Sequence, residues 1–123
     1  LPGTGAAGGL AGGLVALGGR LVPGFDLVAD EVDLHDRIAE VDIVITGEGH
    51  LDAQSFEGKV VGGVQAMCVD AGVPVAAIVG DADDDVSGRI RHVSLVHEFG
   101  IERAMREPLW CIEQAALRLL KET

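Results

Sequence analysis

Short apolar runs alternate with a helical pattern in the middle of the chain. Residues Asp42–Thr46 and Val75–Val79 each hold an unbroken apolar run, which predicts a buried strand. Between them, Val60–Ala71 places apolar side chains on one helical face, and Gly72 and Pro74 follow where a helix would end. Strand, helix and strand in this order are typical of a parallel sheet. The sequence therefore predicts an α/β fold, with three layers around a mostly parallel sheet.

The flanking segments predict further helices and one more strand. Ala6–Leu21 is apolar or small on all sides and is predicted as a helix that ends near Gly18-Gly19, although each interior glycine costs about 1 kcal/mol relative to alanine. A turn is predicted at Pro23-Gly24. The other predicted elements are helices at Phe25–Leu34, Ile38–Val41, Ile101–Met105 and Pro108–Lys121 and a strand at His92–Val96. The last helix is predicted to turn Leu109, Ile112, Ala116, Leu119 and Leu120 inward.

A polar, glycine-rich segment separates the first predicted strand from the helix after it. Its polar side chains are those of Thr46, Glu48, His50, Asp52, Gln54, Ser55, Glu57 and Lys59. Open α/β sheets build their sites beyond the carboxyl ends of strands, so this segment is predicted to be a functional loop. Carboxylates and a lysine together suit a reaction of metal-bound phosphate. The segment is not a P-loop, because Gly49 and Gly58 are too far apart and Val60 follows Lys59.

Two motifs resemble those of the type I glycerate kinase family. One is I-T-G-E-G-H-L-D-A-Q-S-F-E-G-K at residues 45–59, and the other is P-G-T-G-A-A-G-G at residues 2–9. The later strand V-P-V-A-A-I-V-G, residues 73–80, follows in the family's order, so the resemblance covers nearly the whole chain. It implies ATP-dependent phosphorylation of D-glycerate with Mg²⁺ in a larger two-domain protein. Residues 1–123 would be a single α/β region from its C-terminal part, and this fragment alone is expected to be inactive.

The resemblance and the residue chemistry together assign roles within both motifs. Asp52 is the preferred catalytic carboxylate, which would accept a proton from the substrate hydroxyl. Lys59 is the second catalytic candidate, because a lysine and a helix start both attract phosphate oxygens. Glu48 is the candidate Mg²⁺ ligand, and His50 is given no role. Substrate or phosphate contacts are expected from Gly3, Thr4, Gly5, Gly8, Thr46, Gly47, Gly49, Gln54 and Gly58.

Each assignment has a structural alternative. Asp52 could simply close an Asx-turn, Glu48 could serve the structure, and Lys59 could be a surface lysine. The segment Gly3–Gly8 is a literal G-x-G-x-x-G, but a dinucleotide fold needs a preceding strand, and only two residues come before it. For the chain as a whole, the alternative is a non-catalytic α/β regulatory module that binds phosphate or a nucleotide.

Composition and charge narrow the classes of partner. The net charge of −11 argues against nucleic acid and against an anionic membrane. The family resemblance implies glycerate and ATP as the partners. Because both are anions, a local cation such as Mg²⁺ or Lys59 must offset the overall charge. Much of the acid lies in Asp81–Asp85, which is predicted to be a solvated loop.

Cysteine usage and the N-terminal segment complete the picture. Cys68 and Cys111 form no zinc-binding spacing and are predicted to be buried thiols in a reducing compartment. No secretory signal is visible, and a cytoplasmic location is expected. Leu1–Gly5 matches the L-P-x-T-G sorting pattern, but at the wrong end of a chain. The apolar segment Ala6–Leu21 needs cover on more than one side, which predicts self-association.

Overall fold

A three-stranded parallel sheet with helices on both faces organises the chain. The computed structural model describes all residues from Leu1 to Thr123. The elements are α1 (Leu10–Ala16), α2 (Gly24–Glu31), α3 (Leu34–Ala39), β1 (Val44–Leu51), α4 (Val60–Ala71), β2 (Val75–Ala82), β3 (His92–Ser94), α5 (Leu95–Phe99), α6 (Ile101–Arg106) and α7 (Pro108–Lys121). Single 3₁₀ turns lie at Ala6–Gly9, Ala53–Phe56 and Asp84–Val86.

The sheet has the strand order β1-β2-β3, and both pairs are parallel. Val44 lies opposite Val75 and Gly47 opposite Ile78, while Ala77 lies opposite His92. The central strand β2 is the most deeply buried, since Ala76–Val79 are all buried. Because parallel strands covered on both faces read as continuous apolar runs, this run was visible in the sequence.

The two faces of the sheet hold separate cores. On one face, Ile78 packs with the α7 residues Cys111 and Leu119. On the other face, Val79 packs with Val61 of α4. The predicted α/β fold with three layers and a parallel sheet is therefore confirmed.

Strands β1 and β2 are longer than predicted. The predictions that β1 ends at Thr46 and that Gly80 ends β2 are wrong, because pairing continues to Leu51 and Ala82. A Cβ at Gly47 would collide with the backbone carbonyl of Ile78, and a Cβ at Gly80 would collide with the carbonyl of Gly49. The glycines thus let the two backbones approach closely. The first part of the predicted functional loop is consequently strand, since pairing overrides the low strand propensity of glycine.

Several other boundaries differ from the predictions. The segment Ala6–Leu21 forms a 3₁₀ turn and the short helix α1, because Ala7, Gly8 and Gly9 have positive φ. The predicted helix Phe25–Leu34 ends at Glu31, since Asp33 has a φ of 53° and begins α3.

Three further differences lie in β3 and the adjoining helices. The helix predicted at Ile38–Val41 is α3, which starts and ends earlier. Strand β3 stops at Ser94, whose Oγ accepts a hydrogen bond from the N–H of His97 and caps α5. The helix predicted at Ile101–Met105 is α6, one residue longer.

Helices α4 and α7 have the predicted bounds, but α7 uses a different inward face. Its buried residues are Cys111, Ala115 and Leu119, spaced four residues apart. Leu109, Ile112 and Leu120 are 82%, 43% and 53% exposed, so the prediction that these three point inward is wrong. The small side chains of Cys111 and Ala115 let α7 lie close to the sheet, which leaves its second apolar stripe outside.

The two thiols are buried, whereas the N-terminal segment leaves its leucines exposed. Cys68 and Cys111 are both buried and unpaired, which confirms the predicted burial of the two thiols. In contrast, α1 packs against its own 3₁₀ turn and leaves Leu10, Leu14 and Leu17 exposed. Self-association through this segment stays a prediction. None of the helices combines the length and apolar character that crossing a membrane requires.

The inward face of α7 can be tested with two neighbouring leucines. Leu119→Ala should lower the free energy of unfolding by about 2–5 kcal/mol, because it leaves a cavity in a packed core. Leu120→Ala, the matched control on the exposed stripe, should change it by about 0.5 kcal/mol or less. Urea denaturation measures both. Equal losses in the two variants would contradict this orientation of the helix.

Candidate functional site

A capping box fixes the chain where β1 ends. Asp52 begins the 3₁₀ turn Ala53–Phe56, and its Oδ1 accepts a hydrogen bond from Ser55 N at 3.1 Å. In return, Ser55 Oγ accepts one from Asp52 N at 3.0 Å. Ser55 is fully buried, so the turn is fixed to the core. The carboxylate of Asp52 therefore has a structural role through Oδ1, while Oδ2 accepts no hydrogen bond from the protein.

The start of α4 presents a positive end to the same region. Gly58 turns the chain with a φ of 74°, and Lys59 is the N-cap residue of the helix. No side chain caps this end, and the first N–H groups of a helix have no partner within it. Lys59 Nζ donates to Gln54 Oε1 at 3.4 Å, which holds the ammonium group over the turn. A lysine at this end opposes the helix dipole, so the arrangement favours a bound anion.

A cleft of about 760 Å³ lies between α2 and the start of α4. Its polar side chains belong to Glu48, which lies on β1, and to Lys59. Its apolar wall consists of Phe25, Val28, Ala29, Val32, Leu34, Val60 and Val64. The Glu48 backbone pairs with β2, but its carboxylate makes no hydrogen bond or ion pair with the protein. A carboxylate and an ammonium group thus share one partly apolar cleft.

The cleft's residues fit a particular mode of Mg²⁺ binding. No three His, Cys, Asp or Glu side chains lie close enough together to hold a metal ion by themselves. Mg²⁺ is commonly held by one or two carboxylates together with substrate phosphates. The Glu48 carboxylate has no protein partner and is available to bind Mg²⁺. Lys59 lines the same cleft, where its ammonium group is available to bind a phosphate oxygen.

Other predicted site residues lie elsewhere. Gly49 and Thr46 border a second groove on the α7 side of the sheet, while Gly47 and Glu48 border both cavities. Asp52 does not line the cleft. In the first motif, Thr4 Oγ1 donates to Leu1 O, and the motif packs with α1. The structure does not bring Gly3, Thr4, Gly5 and Gly8 to the cleft, so their roles stay predictions.

The sequence reasoning missed an ion pair at the carboxyl end of the sheet. His50 Nε2 lies 2.8 Å from Asp83 Oδ1, and Asp83 N donates to Leu51 O at 2.9 Å. The hydrogen bond that His50 Nε2 donates to Asp83 raises the pKa of His50, and the charges of Asp83, Asp81 and Asp52 act in the same direction.

The end of β3 is hydrogen-bonded to the end of β2, close in sequence to Asp83. Ser94 Oγ donates to Asp81 Oδ1 at 3.3 Å, which links β3 to β2. The acidic run Asp81–Asp85 is therefore not wholly a solvated loop, since Asp81 belongs to β2 and Asp83 pairs with His50. The signal for this was present in the sequence, because residues after adjacent parallel strands meet at one edge.

Comparison with known protein families identifies the family of this chain. The family model described as "Glycerate kinase family" matches residues 1–123. This chain belongs to the glycerate kinase family. The resemblance read from residues 45–59 and 2–9 is thereby confirmed. The match corresponds to the C-terminal part of full-length glycerate kinases.

Individual relatives agree with the family match. The chain is 39% identical over 123 residues to a glycerate kinase of Halalkalibacterium halodurans, a match that covers 94% of this chain and 32% of that protein. It is 40% identical over 103 residues to the glycerate 2-kinase of Escherichia coli, covering 83% of this chain and 25% of that one. For the glycerate kinase of Neisseria meningitidis the identity is 46% over 87 residues, covering 70% and 23%. The chain thus spans between a quarter and a third of the first two relatives and slightly less of the third.

The His50–Asp83 pair of this glycerate kinase chain predicts a shifted titration. Protonated His50 stabilises the fold, and this contribution is fully present below the ordinary pKa of 6.5 and is lost as the pH rises through the higher folded-state pKa. An NMR titration should therefore give His50 a pKa above 6.5. Asp83→Asn should lower that pKa.

The control for this titration is Asp36→Asn. Asp36 Oδ1 lies 3.7 Å from His35 Nδ1 on α3, and both side chains are exposed. The two residues precede β1 and do not belong to the strand ends. This substitution should leave the pKa of His50 unchanged. An unchanged pKa in Asp83→Asn would show that the pair does not form in solution.

Proposed function

We propose that this chain belongs to an enzyme that transfers a phosphoryl group from ATP to D-glycerate, with Mg²⁺. Membership of the glycerate kinase family across residues 1–123 carries the proposal. The reaction is proposed for the whole enzyme, because the chain spans only about a quarter to a third of the length of these relatives. The cleft at the start of α4 supports the proposal, since it holds a lysine and an uncapped helix end.

In this proposal, the start of α4 holds a phosphate group. Lys59 and the free N–H groups of the first helical turn bind its oxygens, while the contact with Gln54 keeps the ammonium group over the turn. Gly58 gives the backbone the left-handed conformation that this approach needs. Bound Mg²⁺ would neutralise charge on the phosphate oxygens, and Glu48 is its proposed ligand from this chain.

Asp52 is proposed to accept the proton of the glycerate hydroxyl. The capping box supports this role, because it fixes the carboxylate and leaves Oδ2 without a protein partner. In a phosphoryl transfer, most of the rate comes from positioning and charge stabilisation, so an oriented carboxylate suits the task. The proposal brings Asp52 and the cleft together around a bound substrate that spans both.

The remaining predicted contacts complete the proposal. Gly47 and Gly49 bring the β1 backbone past Glu48, and Gly3–Gly8 is proposed as a second anion contact. The net charge of −11 makes these local donors necessary, since glycerate and ATP are both anions. ATP and glycerate are the proposed partners. A cytoplasmic location is proposed on the strength of the family match.

The role of Asp52 is tested in a full-length enzyme that carries this chain's residues. Asp52→Asn should lower kcat by about 10²–10⁴-fold, because the amide cannot accept the proton. Asparagine is as good a cap residue as aspartate, so the fold should be preserved. The measurements are steady-state turnover and a thermal melt.

The matched control is Ser55→Ala, which breaks the capping box but keeps the carboxylate. It should lower the melting temperature more than Asp52→Asn and cost less turnover in the protein that remains folded. If Asp52→Asn folds normally and keeps turnover within a few-fold of the parent, Asp52 is not the base. Glu48 would then be the next carboxylate to replace. Ligand binding without turnover in the unmodified enzyme would instead favour the non-catalytic module.

The role of Lys59 gives a separate prediction. Lys59→Met keeps the apolar stem but removes the positive charge, so KM for the anionic substrate that it holds should rise about tenfold or more. The fold should be unaffected or slightly more stable, because a lysine at a helix start opposes the dipole. Lys121→Met, at the C-terminal end of α7, is the control and should leave KM unchanged. Equal KM values in the parent and Lys59→Met would rule out a phosphate contact.

A further inference from the structure

Two anchors hold the peptide group that joins Leu51 to Asp52. On one side, its N–H donates to Ser55 Oγ at 3.0 Å, which is half of the capping box. On the other side, its carbonyl oxygen accepts a hydrogen bond from Asp83 N at 2.9 Å. A group held on one side only can still swing about that anchor. The contact with Asp83 is therefore needed to fix Asp52 relative to the sheet.

Asp83 is itself firmly held. Its carbonyl oxygen accepts a hydrogen bond from the N–H of Val86, which is buried in the same core as Leu51. Its carboxylate oxygen Oδ1 lies 2.8 Å from His50 Nε2. The last paired residues of the two strands are Leu51 and Ala82, so the contact with His50 lies where the ladder stops. Such ends open more easily than the middle of a sheet, and this contact closes one of them.

The exposure of the pair argues for a role beyond stability. The side chains of His50 and Asp83 are each 52% exposed, and an ion pair with that exposure contributes little to the stability of a fold. The pair nevertheless lies at the carboxyl end of the sheet, where α/β proteins build their sites, and one residue from Asp52. Its place is better explained by what it does for Asp52 than by what it adds to the core.

We propose that Asp83, held by His50, is a positioning residue for Asp52 in the phosphoryl transfer. The pair acts through the end of β1 and not on the substrate, so that the Asp52 carboxylate meets the glycerate hydroxyl in one orientation. Support of this kind matters because a displacement of about 1 Å can cost about 10²-fold in rate. The inference rests on the proposed function, in which Asp52 accepts the proton.

The test measures turnover in a full-length enzyme that carries this chain's residues. Asp83→Ala removes the acceptor for His50 but keeps the backbone N–H that binds Leu51. It should lower kcat about tenfold or more and leave KM for ATP and for glycerate within about twofold of the parent, because a positioning residue does not bind substrate. His50→Ala breaks the same contact from the other side and should give the same result. Unfolding of both alanine variants in a thermal melt would overturn the proposal, since the pair would then be structural.

Two further variants separate the contact from the charge. Asp83→Asn keeps an oxygen that can accept from His50, so kcat should stay within about threefold of the parent. Asp85→Ala removes an acidic side chain from the exposed turn that follows Asp83 and should leave kcat unchanged. If Asp83→Asn loses as much turnover as Asp83→Ala, or if Asp85→Ala does, charge and not the contact is responsible, and the proposal is wrong.

A double variant shows whether Asp83 acts through Asp52. In an Asp52→Asn enzyme, Asp83→Ala should lower kcat by less than about twofold, because no base remains to be positioned. A full additional loss in that background would overturn the inference, since a general effect on the fold would add to the loss of the base.

The single variants distinguish failure of this inference from failure of the proposed function. If Asp52→Asn lowers kcat and Asp83→Ala does not, Asp52 remains the proposed base and only the positioning role is wrong. If Asp83→Ala lowers kcat and Asp52→Asn does not, the proposed role of Asp52 is wrong, and the positioning role is overturned with it.

Discussion

The parallel pairing of β1 with β2 positions helix α4 and the side chains at the carboxyl ends of both strands. It requires the two backbones to approach so closely that neither Gly47 nor Gly80 could carry a side chain. Once the strands are paired, their carboxyl ends lie at one edge, and His50 meets Asp83 there. The connection between the strands must then cross one face of the sheet as α4. The direction of that helix follows from the pairing, and so does the position of its uncapped start beside Glu48.

Charge is arranged locally against a strongly negative whole. The chain has 20 acidic and 9 basic residues, so an anionic substrate meets an unfavourable field at a distance. At the start of α4, however, Lys59 and free backbone N–H groups form a small positive region. At the edge of the sheet, the acidic run is partly offset by His50, whose pKa is raised because Asp83 stabilises the protonated ring. These short-range contacts outweigh the net charge, because solvent and salt screen distant charges.

One edge of the sheet and one apolar stripe of α7 are exposed in this chain. A three-stranded sheet with two separate cores is sufficient to define the topology, yet it leaves β1 and one stripe of α7 without partners. Apolar surface of that kind is stabilised when it is removed from water.

Much of this architecture could be predicted from the sequence alone. The apolar run of β2 and the bounds of α4 and α7 follow from local periodicity, and the two glycine-containing motifs were long enough to identify the family. The end of β1 could not be predicted from the sequence. Its glycines, glutamate and histidine adopt strand conformation because they pair with β2.

The same limit applies to the site and to α7. Glu48 and Lys59 share a cleft because α4 crosses back over β1, which their separation along the chain does not reveal. Likewise, α7 has two apolar stripes, and the sheet selected the one with small residues since it allows closer packing. Sequence by itself determined the elements and the family, through local propensity and motif. Tertiary structure decided which faces are buried and which side chains meet, because those depend on contacts between distant segments.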